Sequence, residues 1–321
     1  MKRAWMDTHA HICALGRDGR PRQGVAEGLA AMMDGCDADL RMVACVDMPA
    51  LERMKDEPEA ILEGNRQAWE LIRHAPGRLF GGCVVNPRFF KESERALRVC
   101  FEEWGFVMLG EMLQYMLEFR MDCAETEKLV RLAAKYGAPT QVHISTSNRL
   151  SHNSTHGDDQ LRDLIGLAKR TPDVRYILAH AVGTPKADPP IVDGYLDMIE
   201  AWHGGWPENF WMEIRDFNSP GVASALRRVP SSRLLAGTDW TTRVGPPFAP
   251  YLTVFGVERP GDNPFPAKVS EAVRFLKAAG ASDEDVERIG WKNAVELFGE
   301  KVAARRRRRR FRRARFLEGE G

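Results

Sequence analysis

Trp5-Met6-Asp7-Thr8-His9-Ala10-His11 is the stretch whose reading decides the fold. Along a strand, alternate side chains share a face, so His9 and His11 present two imidazoles to one space. Two histidines hold a divalent cation weakly by themselves, so further ligands must come from elsewhere in the chain. Three later apolar runs supply them. Gln141-Val142-His143, Tyr176-Ile177-Leu178-Ala179-His180 and Leu234-Leu235-Ala236-Gly237-Thr238-Asp239 each lead β-prone or small residues into one ligand-type residue, after which the chain turns polar. An isolated His-x-His is more often a packing or surface feature than a ligand pair. A series of such endings is different, because the C-terminal ends of parallel strands are where an α/β barrel places its chemistry.

Working outward, the same strand-then-helix pattern recurs along the chain. Arg41 to Asp47 has the near-continuous apolar run of a strand buried on both faces. Leu79 to Val85 is a third strand, and Phe106 to Glu111 a fourth that ends on a carboxylate. With the strands closing at His143 and His180, Phe210 to Ile214, and the run to Asp239, the count reaches eight. Between them, helical periodicity runs over Val25 to Met33, Pro58 to His74, Ser93 to Trp104, Thr126 to Tyr136, Asp158 to Lys169, Ile191 to Trp202 and Gly221 to Val229. Ala267 to Ala279 and Asp283 to Phe298 follow as the last helices. Eight right-handed β–α repeats predict a single-domain (β/α)8 TIM barrel over residues 1–299, followed by a basic Arg-rich tail over 300–321. An open doubly wound sheet is the runner-up, but the first strand lacks a Gly-rich phosphate loop.

At 321 residues and 44% hydrophobic content, the chain can bury a large core. No apolar run approaches the roughly 18 residues needed to span a bilayer, and no basic region leads into an apolar core at the N-terminus. The expectation is a soluble, cytoplasmic protein with no membrane partner. The six cysteines, Cys13, Cys36, Cys45, Cys83, Cys100 and Cys123, are scattered without a C-x-x-C pair, as packed, reduced thiols would be. Nine arginines lie between Arg305 and Arg315, against a formal net charge of +1 for the whole chain. The body is therefore acidic and the tail basic. Such a run attracts phosphates, but it lies outside the barrel with only Phe311 and Phe316 among the arginines, and like-charge blocks are usually solvated. Nucleic acid is set aside as a partner, and homo-oligomerisation is left open.

The pattern resembles the amidohydrolase superfamily, and within it the amidohydrolase-related (amidohydrolase 2) group that includes aminocarboxymuconate-semialdehyde decarboxylase. The resemblance is carried by Asp7-Thr8-His9-Ala10-His11, Val85-Asn86-Pro87, Glu102-Glu103-Trp104-Gly105-Phe106, Val142-His143, Leu178-Ala179-His180, Arg233 to Trp240 and Asn293-Ala294. It implies that His9, His11, His143 and Asp239 ligate a divalent metal, zinc ahead of manganese or iron, with His180 a further ligand or a proton-handling residue. Glu111 departs from the mononuclear decarboxylases and looks like the bridging carboxylate of binuclear relatives, which leaves one ion or two open.

These residue types suit the chemistry. A coordinated water becomes available as hydroxide near neutral pH. Asp239 can take its proton and return it to a leaving group, while His180 can polarise a carbonyl or hold an oxyanion. Arg17, Arg149, Arg215 and Arg243 all follow predicted strands and are candidates to grip a substrate carboxylate, and His152 and His156 fall in a long polar loop. The expected activity is hydrolysis of a small amide, lactone or related carbonyl substrate by metal-activated water. Nonoxidative, metal-dependent decarboxylation of an aromatic or enoic acid is the alternative. A catalytically inert scaffold is disfavoured by the retention of every ligand type.

Overall fold

The computed structural model describes residues 2–12, 24–144, 157–182, 189–241 and 268–303. Cys13, Arg17, Arg149, His152, His156, Arg243 and the arginine run of the tail lie outside the described residues.

The strands are β1 (Arg3–Ile12), β2 (Ala38–Val46), β3 (Leu79–Cys83), β4 (Met108–Met112), β5 (Thr140–His143), β6 (Tyr176–Val182), β7 (Phe210–Ile214), β8 (Leu234–Ala236) and β9 (Trp240–Thr241). Every neighbouring pair is parallel, in the order β8-β7-β6-β5-β4-β3-β2-β1-β9. Strands β8 and β9 are two pieces of the predicted eighth strand. The first piece pairs with β7 and the second with β1, so the eighth strand passes from one neighbour to the other. This makes a nearly closed (β/α)8 barrel of eight parallel strands. The split falls where Asp239 adopts a left-handed backbone, φ 53°, which a continuous strand cannot contain.

The helices between the strands include every one the periodicity predicts, with ends moved by a few residues, and others besides. They are α1 (Val25–Gly35), α2 (Met48–Met54), α3 (Ala60–Ile72), α4 (Phe90–Glu102), α5 (Gln114–Leu117), α6 (Ala124–Lys135), α7 (Gly157–Arg170), α8 (Pro189–His203), α9 (Gly221–Arg228) and α10 (Val269–Ala278). Charge placement agrees with the helix dipole in α7, which begins with Asp158 and Asp159 and ends with Lys169 and Arg170. Its buried face, Leu161, Leu164, Ile165 and Ala168, has the spacing of a stripe laid on a sheet.

Helices α2, α5 and α13 (Glu300–Ala303) were not expected. Asp47 caps α2 by accepting from the Met48 N–H, with Pro49 in the first turn, so an additional helix precedes the one predicted from Pro58, which starts at Ala60. The short α5 follows β4 directly. The predicted final helix contains a π-turn, Arg288–Lys292, between α11 (Asp283–Glu287) and α12 (Asn293–Phe298). There a Cβ on Gly290 would lie 2.4 Å from the buried Trp5 ring. The bare glycine lets this turn close against β1. A last helix, α13 (Glu300–Ala303), buries Val302, whose carbonyl accepts from the guanidinium of Arg41 on β2.

Cys36, Cys45, Cys83 and Cys100 are buried and Cys123 half-buried, all as free thiols, consistent with packing roles. Among the described residues no helix is long and apolar enough to cross a membrane.

Candidate metal centre

The strands are apolar for most of their length, and ionisable side chains gather toward their C-terminal ends. Six of these meet in one space: His9 and His11 from β1, Glu111 from β4, His143 from β5, His180 from β6, and Asp239 between β8 and β9. All six predicted metal ligands are therefore brought together. Of the four predicted substrate arginines, Arg215 is described and lies at this site, its Nε 3.3 Å from Asp239 Oδ2.

The hydrogen bonds decide which imidazole nitrogens are available. His9 Nδ1 is 3.0 Å from Glu213 Oε2, and His11 Nδ1 is 2.6 Å from the Val46 carbonyl oxygen. A carboxylate and a carbonyl accept here, so both Nδ1 atoms carry protons, and the Nε2 atoms are the ones that can offer lone pairs to a cation in exchange for a proton. Those two Nε2 atoms are 3.1 Å apart. Two lone pairs at that distance repel unless something positive lies between them. Glu111 Oε2 adds a third donor, 3.2 Å from His11 Nε2 and 3.4 Å from His9 Nε2. Asp239 Oδ1 adds a fourth, 3.4 Å and 3.7 Å from the same two nitrogens. Ligands held about 2.0–2.2 Å from a tetrahedral cation stand about 3.3–3.6 Å from one another. The donor set fits a divalent cation.

The other oxygen of Glu111 faces a second group. Oε1 is 3.0 Å from His143 Nδ1 and 3.1 Å from His180 Nε2, and these two nitrogens are 3.1 Å apart. Glu111 thus divides its oxygens between two histidine pairs, and each pair with Glu111 forms a three-donor cluster. Gly110, just before it, has φ 121°, and a Cβ there would lie 2.5 Å from the Gln141 carbonyl oxygen. Only glycine lets β4 approach β5 this closely at the carboxylate.

The electrostatics are those of carboxylates and imidazoles sharing a buried space. Burial alone would push the Glu111 carboxyl up, yet His9, His11, His143 and His180 outweigh it and hold it well below the usual carboxylate range. Burial would lower His9, but Glu111 and Glu213 raise it well above an ordinary imidazole. His143 is lowered, by burial and by the neighbouring His180. Asp239 is held down against burial by Arg215 first and then by His9, His11 and His180. A cation in either cluster would compete with protons for the same lone pairs.

Four contributors were not identified from the sequence. Glu213, wholly buried on β7, receives Thr8 Oγ1 at 2.9 Å and the Gln141 amide on Oε1, and the His180 backbone N–H at 3.1 Å on Oε2. Asp7, also buried, accepts from the backbone N–H of His9 at 2.9 Å, from the N–H of Thr238 at 3.0 Å and from the Thr238 hydroxyl. Burial raises its carboxyl to about 7 against those hydrogen bonds. From α5, Gln114 donates to the His143 carbonyl at 2.9 Å, and the Tyr115 ring lies 4.5 Å from the His143 ring. For Glu213 and Asp7 a signal existed: a carboxylate inside a strand buried on both faces requires partners.

The Amidohydrolase family model matches residues 6–299. The chain belongs to the amidohydrolase family. Solved structures with the same fold include a dihydroxybenzoic acid decarboxylase from Polaromonas with bound manganese and the inhibitor 2-nitroresorcinol. It has TM-score 0.59 and 16% identity, covering 92% of this chain and 97% of that one. A 5-carboxyvanillate decarboxylase from Novosphingobium aromaticivorans, complexed with manganese and a nitrobenzoic acid, has TM-score 0.62 and 15% identity, over 92% and 96% of the two chains. The 4-oxalomesaconate hydratase of Rhodopseudomonas palustris has TM-score 0.64 and 13% identity, over 93% and 96%. At these identities the likeness is one of fold. No curated protein matches this amidohydrolase-family chain in sequence.

Proposed function

We propose that this amidohydrolase-family enzyme removes carbon dioxide, without an oxidant, from a small aromatic or enoic carboxylic acid. The reading rests on the Arg215–Asp239 pair set against the histidine donors: Asp239 directs Oδ2 to Arg215 Nε and Oδ1 to His11 Nε2. One side chain thereby stands between a cationic partner for a carboxylate and the ligand cluster, where it can carry a proton. The manganese-bound decarboxylases of the same fold support it, and they shift the preferred ion from zinc toward manganese, which the same nitrogen and oxygen donors accept.

A divalent cation held by His9, His11, His143 and Asp239, with Glu111 and His180 beside them, would supply fixed positive charge for substrate oxygens and lower the pKa of a bound water. The chain's own residues do the rest. Arg215 orients the substrate carboxylate, with Arg17, Arg149 and Arg243 retained as further candidates. Asp239 takes up a proton from solvent and passes it to the carbon that bears the carboxylate. The bond from that carbon to the carboxylate then breaks, its electron pair stays with the carbon, carbon dioxide leaves and a C–H bond replaces it. His180 faces the developing negative charge on the substrate. The barrel is proposed to extend over residues 1–299, with 300–321 as a tail outside the chemistry, and the enzyme to work in the cytoplasm.

Hydrolysis is the second reading, and one observation favours it. The two oxygens of Glu111 serve separate histidine pairs, so each pair with Glu111 could hold an ion; two ions would supply an activated water, and Asp239 would be the base that takes its proton in attack on an amide or lactone. The test is product analysis on panels of hydroxybenzoic and enoic acids, lactones and amides, beside metal content by elemental mass spectrometry. Carbon dioxide released with loss of the acid, at one ion per chain, supports decarboxylation. Products that contain an added water, at two ions per chain, replace it with hydrolysis.

A further inference from the structure

Glu213 has no place among the residues that hold a cation, yet it touches both histidine pairs. Its Oε2 accepts from His9 Nδ1 at 3.0 Å and from the His180 backbone N–H at 3.1 Å. Its Oε1 accepts from Thr8 Oγ1 at 2.9 Å and from the Gln141 amide. Four donors from β1, β5 and β6 thus converge on one carboxylate of β7, which is fully buried. An isolated buried carboxylate is costly, and one so completely hydrogen-bonded is fixed in place.

Two consequences bear on the metal centre. A carboxylate on Nδ1 obliges the His9 proton to sit there, so Nε2 presents its lone pair toward His11 Nε2, Glu111 and Asp239. The second concerns the backbone. His180 has φ 39°, a left-handed conformation costing on the order of 1–3 kcal/mol in a non-glycine residue. The N–H exposed by that turn is the one that donates to Glu213. The space for the carboxylate is kept open from β8, where a Cβ on Gly237 would lie 2.5 Å from Glu213 Cδ and 2.8 Å from either oxygen.

We propose that Glu213 is the positioning carboxylate of this centre, holding the His9 ring with its Nε2 toward the cation and His180 in its turned backbone, so that one side chain sets the geometry of both donor pairs. The proposal rests on the metal centre described above and not on which reaction the centre performs.

The test measures zinc and manganese affinity of the full-length protein by competition with a chelator, beside thermal stability, for wild type, Glu213→Gln, Glu213→Leu and Thr8→Val. Glutamine keeps one oxygen for His9 and His180, and its amide can donate to a turned Gln141, so it retains part of the function. Leucine retains none. Affinity is expected to fall about 10-fold in Glu213→Gln and about 100-fold in Glu213→Leu, the range seen when partners of metal-bound histidines are removed. Thr8→Val removes the hydroxyl that contacts Oε1 and the Ala236 carbonyl and leaves the partners of Oε2 in place; it should lower stability and leave affinity within about twofold, well below that range. Equal affinity in wild type and Glu213→Gln, or affinity losses that simply follow stability losses across all variants, overturns the proposal.

A measurement on the wild type guards against variants that do not fold. In zinc-loaded protein carrying 15N-histidine, the His9 signal, assigned by its loss in His9→Gln, should show a protonated Nδ1; a protonated Nε2 overturns the proposal. A wild type that binds neither metal overturns it together with the metal centre, whereas tight binding that is indifferent to Glu213 overturns it alone.

Discussion

The two histidine pairs that flank Glu111 are built differently. His9 and His11 are buried, and each has its far nitrogen tied down, one to a carboxylate and one to a backbone carbonyl. His143 is half-buried and turns its Nδ1 toward the centre, and its ring is flanked by Tyr115 and the edge of His180. The first pair is preset by the barrel wall. In the second, Glu213 fixes the His180 backbone, but the His143 ring is held by ring contacts, which yield more readily than hydrogen bonds to a strand. A cation should therefore bind first and most tightly at His9 and His11.

His9→Ala is the largest blow to that asymmetry: metal affinity is expected to fall by more than about 100-fold and turnover with it, because a lost ligand costs at least as much as its lost partner. An equal loss from His143→Ala would break the comparison. Gly237→Ala comes next. The added methyl meets the Glu213 carboxylate, so a loss of about 1–3 kcal/mol is expected in denaturant unfolding, with affinity falling more at the His9 pair than at the His143 pair. His143→Ala follows, with affinity lowered about 10-fold and the ion at His9 and His11 retained, read by metal content after dialysis. Ser282→Ala lies far from both pairs. It removes the capping box with Asp285 that starts α11, and should cost about 1 kcal/mol in thermal unfolding without changing metal content. Removing residues 304–321 is expected to leave turnover on a small substrate unchanged.

The contrast also explains what could be read from the sequence. His9-x-His11 was legible because a strand repeats every two residues, and His143, His180, Glu111 and Asp239 because each ends an apolar run. The barrel followed from the repetition of those runs. Glu213 escaped because a single charged residue between Met212 and Ile214 breaks no periodicity. Its meaning lies in four partners that are remote in sequence, with His9 204 positions away. Helix α2 was legible in principle, since Asp47 and Pro49 are a helix start, but it is shorter than the window over which periodicity is counted. The left-handed turns at His180 and Asp239 could not be read, because Asp and His adopt positive φ more often than most residues but too rarely to place a single turn. The fate of Arg17, Arg149 and Arg243 lies outside the described residues, so Arg215 alone of the four could be placed.

The divided eighth strand has a consequence for assembly. Asp7 is joined to Thr238 across 231 positions of sequence, and β9 closes on β1 only beyond that point. While the chain is being synthesised, His9 is made 204 positions before its partner Glu213 and waits for it. Long-range closure of this kind is slow. An intermediate stalled before β7 would carry the His-x-His pair without Glu213 or Asp239, exposed to any transition metal nearby. Correct metallation is then a matter of timing, and the ion that arrives before closure need not be the one retained after it.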